Sequence, residues 1–216
     1  MKKILLLVFM GLSLYVNAQS ADVRINVYGS YVFDDRFSSS YNQYSYYDGK
    51  LKGGLQYGGG IELATSDVTG VELLYLRQTT HAPISYNNGT LIDKFTDFDV
   101  SMNYIMLSGV RRLQQTGSPI EAYGGLMLGM AIVELDNPDN GYSNNVTKFA
   151  WGARLGCNIW AGEKIALKIQ GQLLSPVESM GGGLYFGSGG SGANISTYST
   201  IYQFTLGGGL SYKLGN

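Results

Sequence analysis

His81 is the only histidine in the chain, so any acid–base mechanism run by an imidazole must use it. Ser85 would then supply a hydroxyl nucleophile, and Asp93 or Asp97 an orienting carboxylate, the parts of a hydrolase or of a lipid-modifying enzyme. No motif surrounds these residues, and an ordinary exposed loop histidine is the plainer reading. A zinc site needs several His or Cys ligands, which His81 and the lone Cys157 do not supply. Cys157 packs more simply as a small apolar residue. Residues 136–141, DNPDNG, have the look of a calcium loop, but Pro138 takes the third ligand position and Thr147 stands where a bidentate Glu belongs. Asp136 and Asp139 leave only a loose surface calcium site, and Asp, Asn, Pro and Gly together are sufficient turn chemistry. Gly187–Gly192 satisfies G-x-G-x-x-G, yet no buried strand precedes it, and no lysine between Lys168 and Lys213 would complete a P-loop. No catalytic, cofactor-binding or metal-binding residue is assigned on these grounds.

Composition points to architecture instead. Of 216 residues 31 are Gly and 17 are Tyr, while only 14% are charged and 44% are apolar. Gly is thus about twice its usual share and charge well below the usual quarter or so. A single Cys excludes a disulfide scaffold, and so much Gly and Tyr argues against a helical bundle. Fifteen basic against sixteen acidic residues give no charge-driven attraction to nucleic acid. The chain opens Met1-Lys2-Lys3, runs apolar from Ile4 to Val16, and reaches Val16-Asn17-Ala18 before Gln19. A cationic start, a short apolar core and small residues before the cut predict a signal peptide over 1–18. The mature domain, 19–216, contains no apolar run long enough for a membrane helix.

Eight segments in that domain alternate with period two, the signature of strands with two unlike faces. They are 22–33, 51–65, 70–78, 98–113, 120–134, 149–159, 165–174 and 202–214. In 22–33, Val23, Ile25, Val27, Tyr31 and Phe33 oppose Arg24, Asn26, Tyr28 and Ser30; in 165–174, Ile165, Leu167, Ile169 and Leu173 oppose Lys168, Gln170 and Gln172. Segment 98–113 sets Phe98, Val100, Met102, Tyr104, Met106 and Val110 against Asp99, Ser101, Asn103 and Arg111. Segment 70–78 is less regular, because Leu74 and Leu76 share a face with Glu72 and Gln78. Strands of about ten residues cross a bilayer when tilted. The connections alternate in length: 66–69, 114–119 and 161–164 are short, whereas 34–50, 79–97, 136–148 and 175–199 are long. Short turns at one end and long loops at the other are the pattern of a membrane barrel. The fold expected is therefore all-β: an eight-stranded antiparallel up-and-down transmembrane β-barrel, with both termini at the short-turn end.

A secreted eight-stranded barrel could instead be a soluble, lipocalin-like carrier with the apolar face inward. Gly at 54, 58, 60, 125, 129, 152, 156, 207 and 209 suits a narrow interior better than a solvated exterior. Aromatics gather on the apolar face at the long-loop ends (Tyr31, Phe33, Phe98, Phe149, Trp151, Tyr202, Phe204), as in an interfacial girdle. Turning the polar face inward places Arg24, Lys52, Arg111, Arg154 and Lys168 in the lumen with Glu62, Glu72, Asp99 and Glu121. Charges of both signs in so narrow a space must pair. They form either a filled plug, the reading favoured by the width of eight strands, or an ion path. In the first long loop, residues 41–47 read YNQYSYY, a mixture suited to recognising a protein, glycan or lipid head group, or to anchoring the rim.

Asp99–Leu113 (DVSMNYIMLSGVRRL), Ala122–Gly129 (AYGGLMLG) and Tyr202–Leu214 (YQFTLGGGLSYKL) give the chain its family likeness. It resembles the small outer-membrane β-barrel proteins of Gram-negative bacteria, the porin-like, OmpX- or OmpA-barrel type. That resemblance implies an outer-membrane location with periplasmic termini, surrounding outer-membrane lipid, and a last strand read by the barrel-insertion machinery. Here that strand ends Leu214-Gly215-Asn216 rather than on an aromatic. The expectation is a monomeric, non-enzymatic barrel with a structural or surface-interaction role. A small or gated channel is the alternative, ahead of an enzyme using His81.

Overall fold

A computed structural model describes residues 22–42, 45–88, 94–114, 116–138, 141–177 and 202–214. The leader segment, the Gly-rich stretch 187–192, Asp93, Asp139 and the side chains of 41–47 lie outside the described residues. Ten strands follow in order: β1 Val23–Val32, β2 Asp35–Asn42, β3 Ser45–Leu51, β4 Gly54–Ala64 and β5 Thr69–Asn88, then β6 Lys94–Gln114, β7 Ile120–Asn137, β8 Tyr142–Trp160, β9 Ile165–Pro176 and β10 Gln203–Lys213. Eight of them, β1 and β4 to β10, pair antiparallel with their neighbours, and β10 returns to β1 to close the barrel. Closure leaves no free edge among these eight strands, which a strand in lipid cannot tolerate. Asp22, Leu214 and the turns at 65–68, 116–119 and 161–164 share one end, as the alternating connection lengths require.

Strand lengths divide the barrel into two sides. β1, β4, β9 and β10 have 10, 11, 12 and 11 residues, about what a tilted strand needs to cross hydrocarbon. β5, β6, β7 and β8 have 20, 21, 18 and 19, so nearly half of each extends past the bilayer at the end opposite the short turns. Two of the expected long loops are therefore largely strand: 79–97 continues β5 and β6, and 136–148 continues β7 and β8. The third, 34–50, is the β2–β3 hairpin, and β3 pairs along the upper part of β5 from Ser45↔Asn88 to Gly49↔Ile84. Asp34 ties its base to the rim, accepting the Gly53 N–H at 2.5 Å and pairing with Lys50. The bond to Lys50 holds the Asp34 carboxyl below the usual carboxylate range.

Seven of the eight barrel strands present the face expected of them, including the inward Leu74 and Leu76 of β5. β6 is reversed. Phe98, Val100, Met102, Tyr104, Met106 and Val110 are buried in the interior, whereas Asp99, Ser101, Asn103 and Arg111 stand on the outer face with Ile105 and Leu107. The cause is its length. Beyond the bilayer a strand meets water outside and packs apolar residues inside, the opposite of its polarity within lipid. Phe98 accordingly leaves the aromatic girdle, while Tyr31, Phe33 and Phe204 keep their places in it, with ring centroids 5.5 and 5.7 Å apart. Leu51 is likewise buried and Lys52 exposed, because both belong to the hairpin side of the rim rather than to β4.

Inward glycines make room for large lumen side chains. A Cβ on Gly156 would sit 2.9 Å from Gln170 Cβ and from Tyr123 Cζ, and closer still to the Ile169 carbonyl. Gly156→Ala is therefore expected to cost about 1–3 kcal/mol through overpacking. Gly29→Ala, whose Cβ meets nothing within 4 Å, should change stability by less than about 0.5 kcal/mol. Urea titration of the refolded barrel in detergent measures both, and equal losses would mean that the lumen is not packed around Gly156.

Candidate functional site: the lumen and the outer sheet

The lumen's charged groups come from strands far apart in sequence. Near the short-turn end Arg24 of β1 reaches Glu121 of β7 at 2.8 Å, and Asn158 of β8 donates to the same carboxylate at 2.6 Å. Trp160 lies beside Arg24, its ring centroid 5.0 Å from the guanidinium carbon. Arg112 of β6 pairs with Glu62 of β4 and donates to the Ser66 and Thr69 carbonyls of the adjacent turn at 3.0 and 2.8 Å. Deeper in, Arg154 of β8 pairs with Glu72 of β5, which also accepts from the Tyr28 hydroxyl at 2.6 Å and from Asn26 at 2.7 Å. The three carboxylates are fully used.

Lys168 is the fourth cation of this layer and has no carboxylate within ion-pair distance among the described residues. It lies 3.4 Å from Asn26 Oδ1, with its ammonium 4.6 Å from the Tyr123 ring centroid and 5.7 Å from that of Tyr28. Cation–π attraction at such distances partly replaces a counter-ion in a desolvated site. Glutamines form the next tier: Tyr123 donates to Gln170, Gln172 to Gln56 and Gln203 to Gln78, and the Tyr104 hydroxyl reaches Gln203 at 2.7 Å. Apolar side chains fill the interior toward the far end, including Ile84, Phe98, Val100, Met102, Val133 and Leu135. The lumen is thus a plug, polar near the short turns and apolar beneath the outer sheet.

Of the nine charges placed in the lumen by alternation, six are there: Arg24, Arg154, Lys168, Glu62, Glu72 and Glu121. Arg111, Asp99 and Lys52 are not, and Arg112, missed in the sequence, takes the role given to Arg111. Two consecutive arginines must face opposite sides of a strand, so this error follows from the reversed face of β6. A cue was available in the unbroken polar row Asp99, Ser101, Asn103, which is foreign to a lipid face.

That row belongs to the second candidate site, the outer face of the extended sheet. Arg77, Thr79 and His81 of β5 stand beside Asn103, Ser101 and Asp99 of β6, with Glu134 and Asp136 of β7 next to them. His81 is on a strand rather than in a loop, and its Nδ1 lies 2.7 Å from Asp99 Oδ1, both side chains more than half exposed. Ser85 sits opposite Phe95 and Asp97 opposite Pro83, so the structure brings neither of them to His81 as a direct cross-strand partner. Asp136 is exposed, and among the described residues no group of three His, Cys, Asp or Glu side chains is placed to hold a metal. The Tyr75 hydroxyl donates to Asn103 Oδ1 at 2.8 Å where the apolar band ends and this polar face begins.

Residues 4–182 match the sequence profile of the outer membrane protein beta-barrel domain. The chain belongs to that family. It is an outer-membrane barrel, and the apolar band described above is its lipid-facing surface. Among solved structures it is similar to the outer membrane protein OprG from Pseudomonas aeruginosa, at 15% identity and a TM-score of 0.58, covering 91% of this chain and 97% of that one. Neisserial surface protein A is similar at 14% identity and a TM-score of 0.50, with 90% and 97% covered. So is the N-terminal barrel domain of Pseudomonas aeruginosa OprF, at 11% identity and 0.50, with 90% and 100% covered. At such identities the likeness is one of fold. No curated protein matches the chain in sequence.

Proposed function

We propose that this outer-membrane barrel is a non-enzymatic surface protein whose extended sheet, with the β2–β3 hairpin, forms a recognition platform outside the cell for a protein, glycan or lipid head group. The observation that carries this reading is the placement of polarity along β5 to β8. Inside the bilayer their outer face is apolar except at Arg111; beyond it the same face turns to Arg77, Thr79, His81, Asp99, Ser101, Glu134 and Asp136. About half of four strands serves a water-exposed surface that membrane insertion does not require. The filled lumen favours a surface role over transport, since ion pairs and apolar packing occupy the space an open path would need. The short turns and both termini then face the periplasm, behind a cleaved signal peptide over 1–18.

Cysteine labelling tests the orientation. In a Cys157→Ser background, Ser143→Cys at the end of the extended sheet should react with a membrane-impermeant maleimide on intact cells. Ser66→Cys, in a short turn, should react only after the outer membrane is opened. Reversed labelling would overturn the assignment. The purified barrel in planar bilayers should give no steady conductance, and a stable open level would replace the surface reading with the channel.

A further inference from the structure

The lipid-facing surface is uneven. Across β6, β7 and β8, on the short-turn half of the barrel, lies a groove of about 1000 Å³. Its open floor is at Gly109, its walls include Leu113 and Leu126, and the Leu155 side chain reaches over Gly124 to close the β8 side. Leu126 and Leu155, at 72% and 73%, are the most exposed large apolar side chains among the described residues. A glycine inside a strand weakens it and often marks close approach by another molecule. Gly109 fits that description, because a Cβ built there meets nothing within 4 Å. The protein's own packing does not require a glycine at this position.

Among the described residues the groove carries one outward charge. Arg111 is exposed on the lipid face, two residues above Leu113 on β6 and directly opposite Gly124 of β7. No carboxylate or carbonyl among the described residues pairs with its side chain. Its neighbour Arg112, facing the lumen, is committed to Glu62 and the turn carbonyls. An arginine within the apolar band is costly unless its guanidinium reaches an anionic group near the interface. Phosphate is the complement its planar fork fits best.

We propose that the groove is a binding site for one phospholipid of the leaflet on the short-turn side, with its phosphate on Arg111 and an acyl chain lying over Gly109 between Leu126 and Leu155. That this leaflet is the periplasmic one rests on the orientation proposed above. The occupancy does not, and it is measured in detergent, where no leaflet exists. A second copy of the chain would cover the apolar floor but would bring its own arginine rather than an anion, so charge favours the lipid.

The test is native mass spectrometry of the folded barrel in detergent with 1-palmitoyl-2-oleoyl phosphatidylglycerol added in increasing amounts. The wild-type barrel should retain one lipid in preference to further ones. Arg111→Gln should weaken that first binding by roughly tenfold or more, the loss of a charged hydrogen-bonded contact. Gly109→Leu should abolish the preference by filling the floor, and Gly29→Leu, on the outer face of β1, should leave it intact. Heat-dependent gel mobility verifies that each variant is folded, and Arg111→Lys, which keeps the charge, supplies a second reading of the site. Retention of the first lipid by Gly109→Leu and Arg111→Gln at the wild-type level would overturn the proposal. So would a wild-type barrel that binds several lipids without preference, or a dimer that forms in their place and is lost in Gly109→Leu.

Discussion

Arg154→Leu is expected to destabilise the barrel by about 3–5 kcal/mol, the cost of leaving a buried charge without its partner. The pair it breaks is completely enclosed: the side chains of Arg154 and Glu72 are 1% and 0% exposed. With the guanidinium gone, Glu72 would retain the Tyr28 hydroxyl and the Asn26 amide, both neutral donors, and the nearby Lys168 ammonium has no direct bond to it. A second substitution separates lost charge balance from lost packing. Arg154→Met with Glu72→Gln removes both charges while keeping length, and should recover most of the loss, because an isosteric uncharged pair commonly matches a buried ion pair. Urea unfolding in phospholipid vesicles, with reversibility established from both directions, gives the three free energies. If the single variant loses less than about 1 kcal/mol, in the range of an exposed pair, the network around Glu72 does not form as described.

Leu107→Arg is expected to cost about 2–4 kcal/mol and Ser101→Arg about 0–1 kcal/mol, although the two side chains share one face of the same strand. Leu107 is more than half exposed and is flanked by Leu73 of β5 and Leu128 of β7, so an arginine there faces hydrocarbon. Ser101 is flanked by Thr79 and Glu134, beyond the apolar band, where water and a nearby carboxylate receive the charge. The same vesicle titration applies to both. The contrast locates the upper membrane boundary between the two residues and tests the facing of β6. Had Asp99, Ser101 and Asn103 faced the lumen, Ser101→Arg would have enclosed an unpaired charge and been the more damaging substitution. That reversed order would require the strand to be turned back.

Most of the fold was legible because a bilayer imposes a simple code. One face of each spanning strand meets hydrocarbon and the other a narrow interior, so alternation alone assigned Ile165, Leu167 and Ile169 outward and Lys168 and Gln170 inward. The code fails where strands leave the membrane. In β6 the inward row Phe98, Val100, Met102 and Tyr104 is more apolar than the outward row Asp99, Ser101 and Asn103, since their surroundings are those of a soluble sheet. Ranking faces by hydropathy then selects the wrong one for the whole strand, carrying Arg111 and Arg112 with it. Loop boundaries failed for the same reason: Thr79 to Asn88 looks irregular when judged as a membrane strand, and it is regular as a strand in water.

The sequence by itself determined an all-β chain of eight alternating spans, their order, the common end of their short turns, and which side of seven spans meets lipid. All of these depend on properties of single strands and the lengths between them. Only the tertiary structure decided which charges meet. Glu62 and Arg112 are 50 residues apart, Glu72 and Arg154 are 82 apart, and Arg24 and Glu121 are 97 apart. Those pairings depend on register and on barrel closure, which bring strands that are not hydrogen-bonded neighbours to one level. The extended sheet with its outward His81 and Asp99, and the lipid-facing hollow between Gly109, Arg111 and Gly124, emerged for the same reason. Each is made by neighbours across strands, and a period of two along one strand carries no information about what lies beside it.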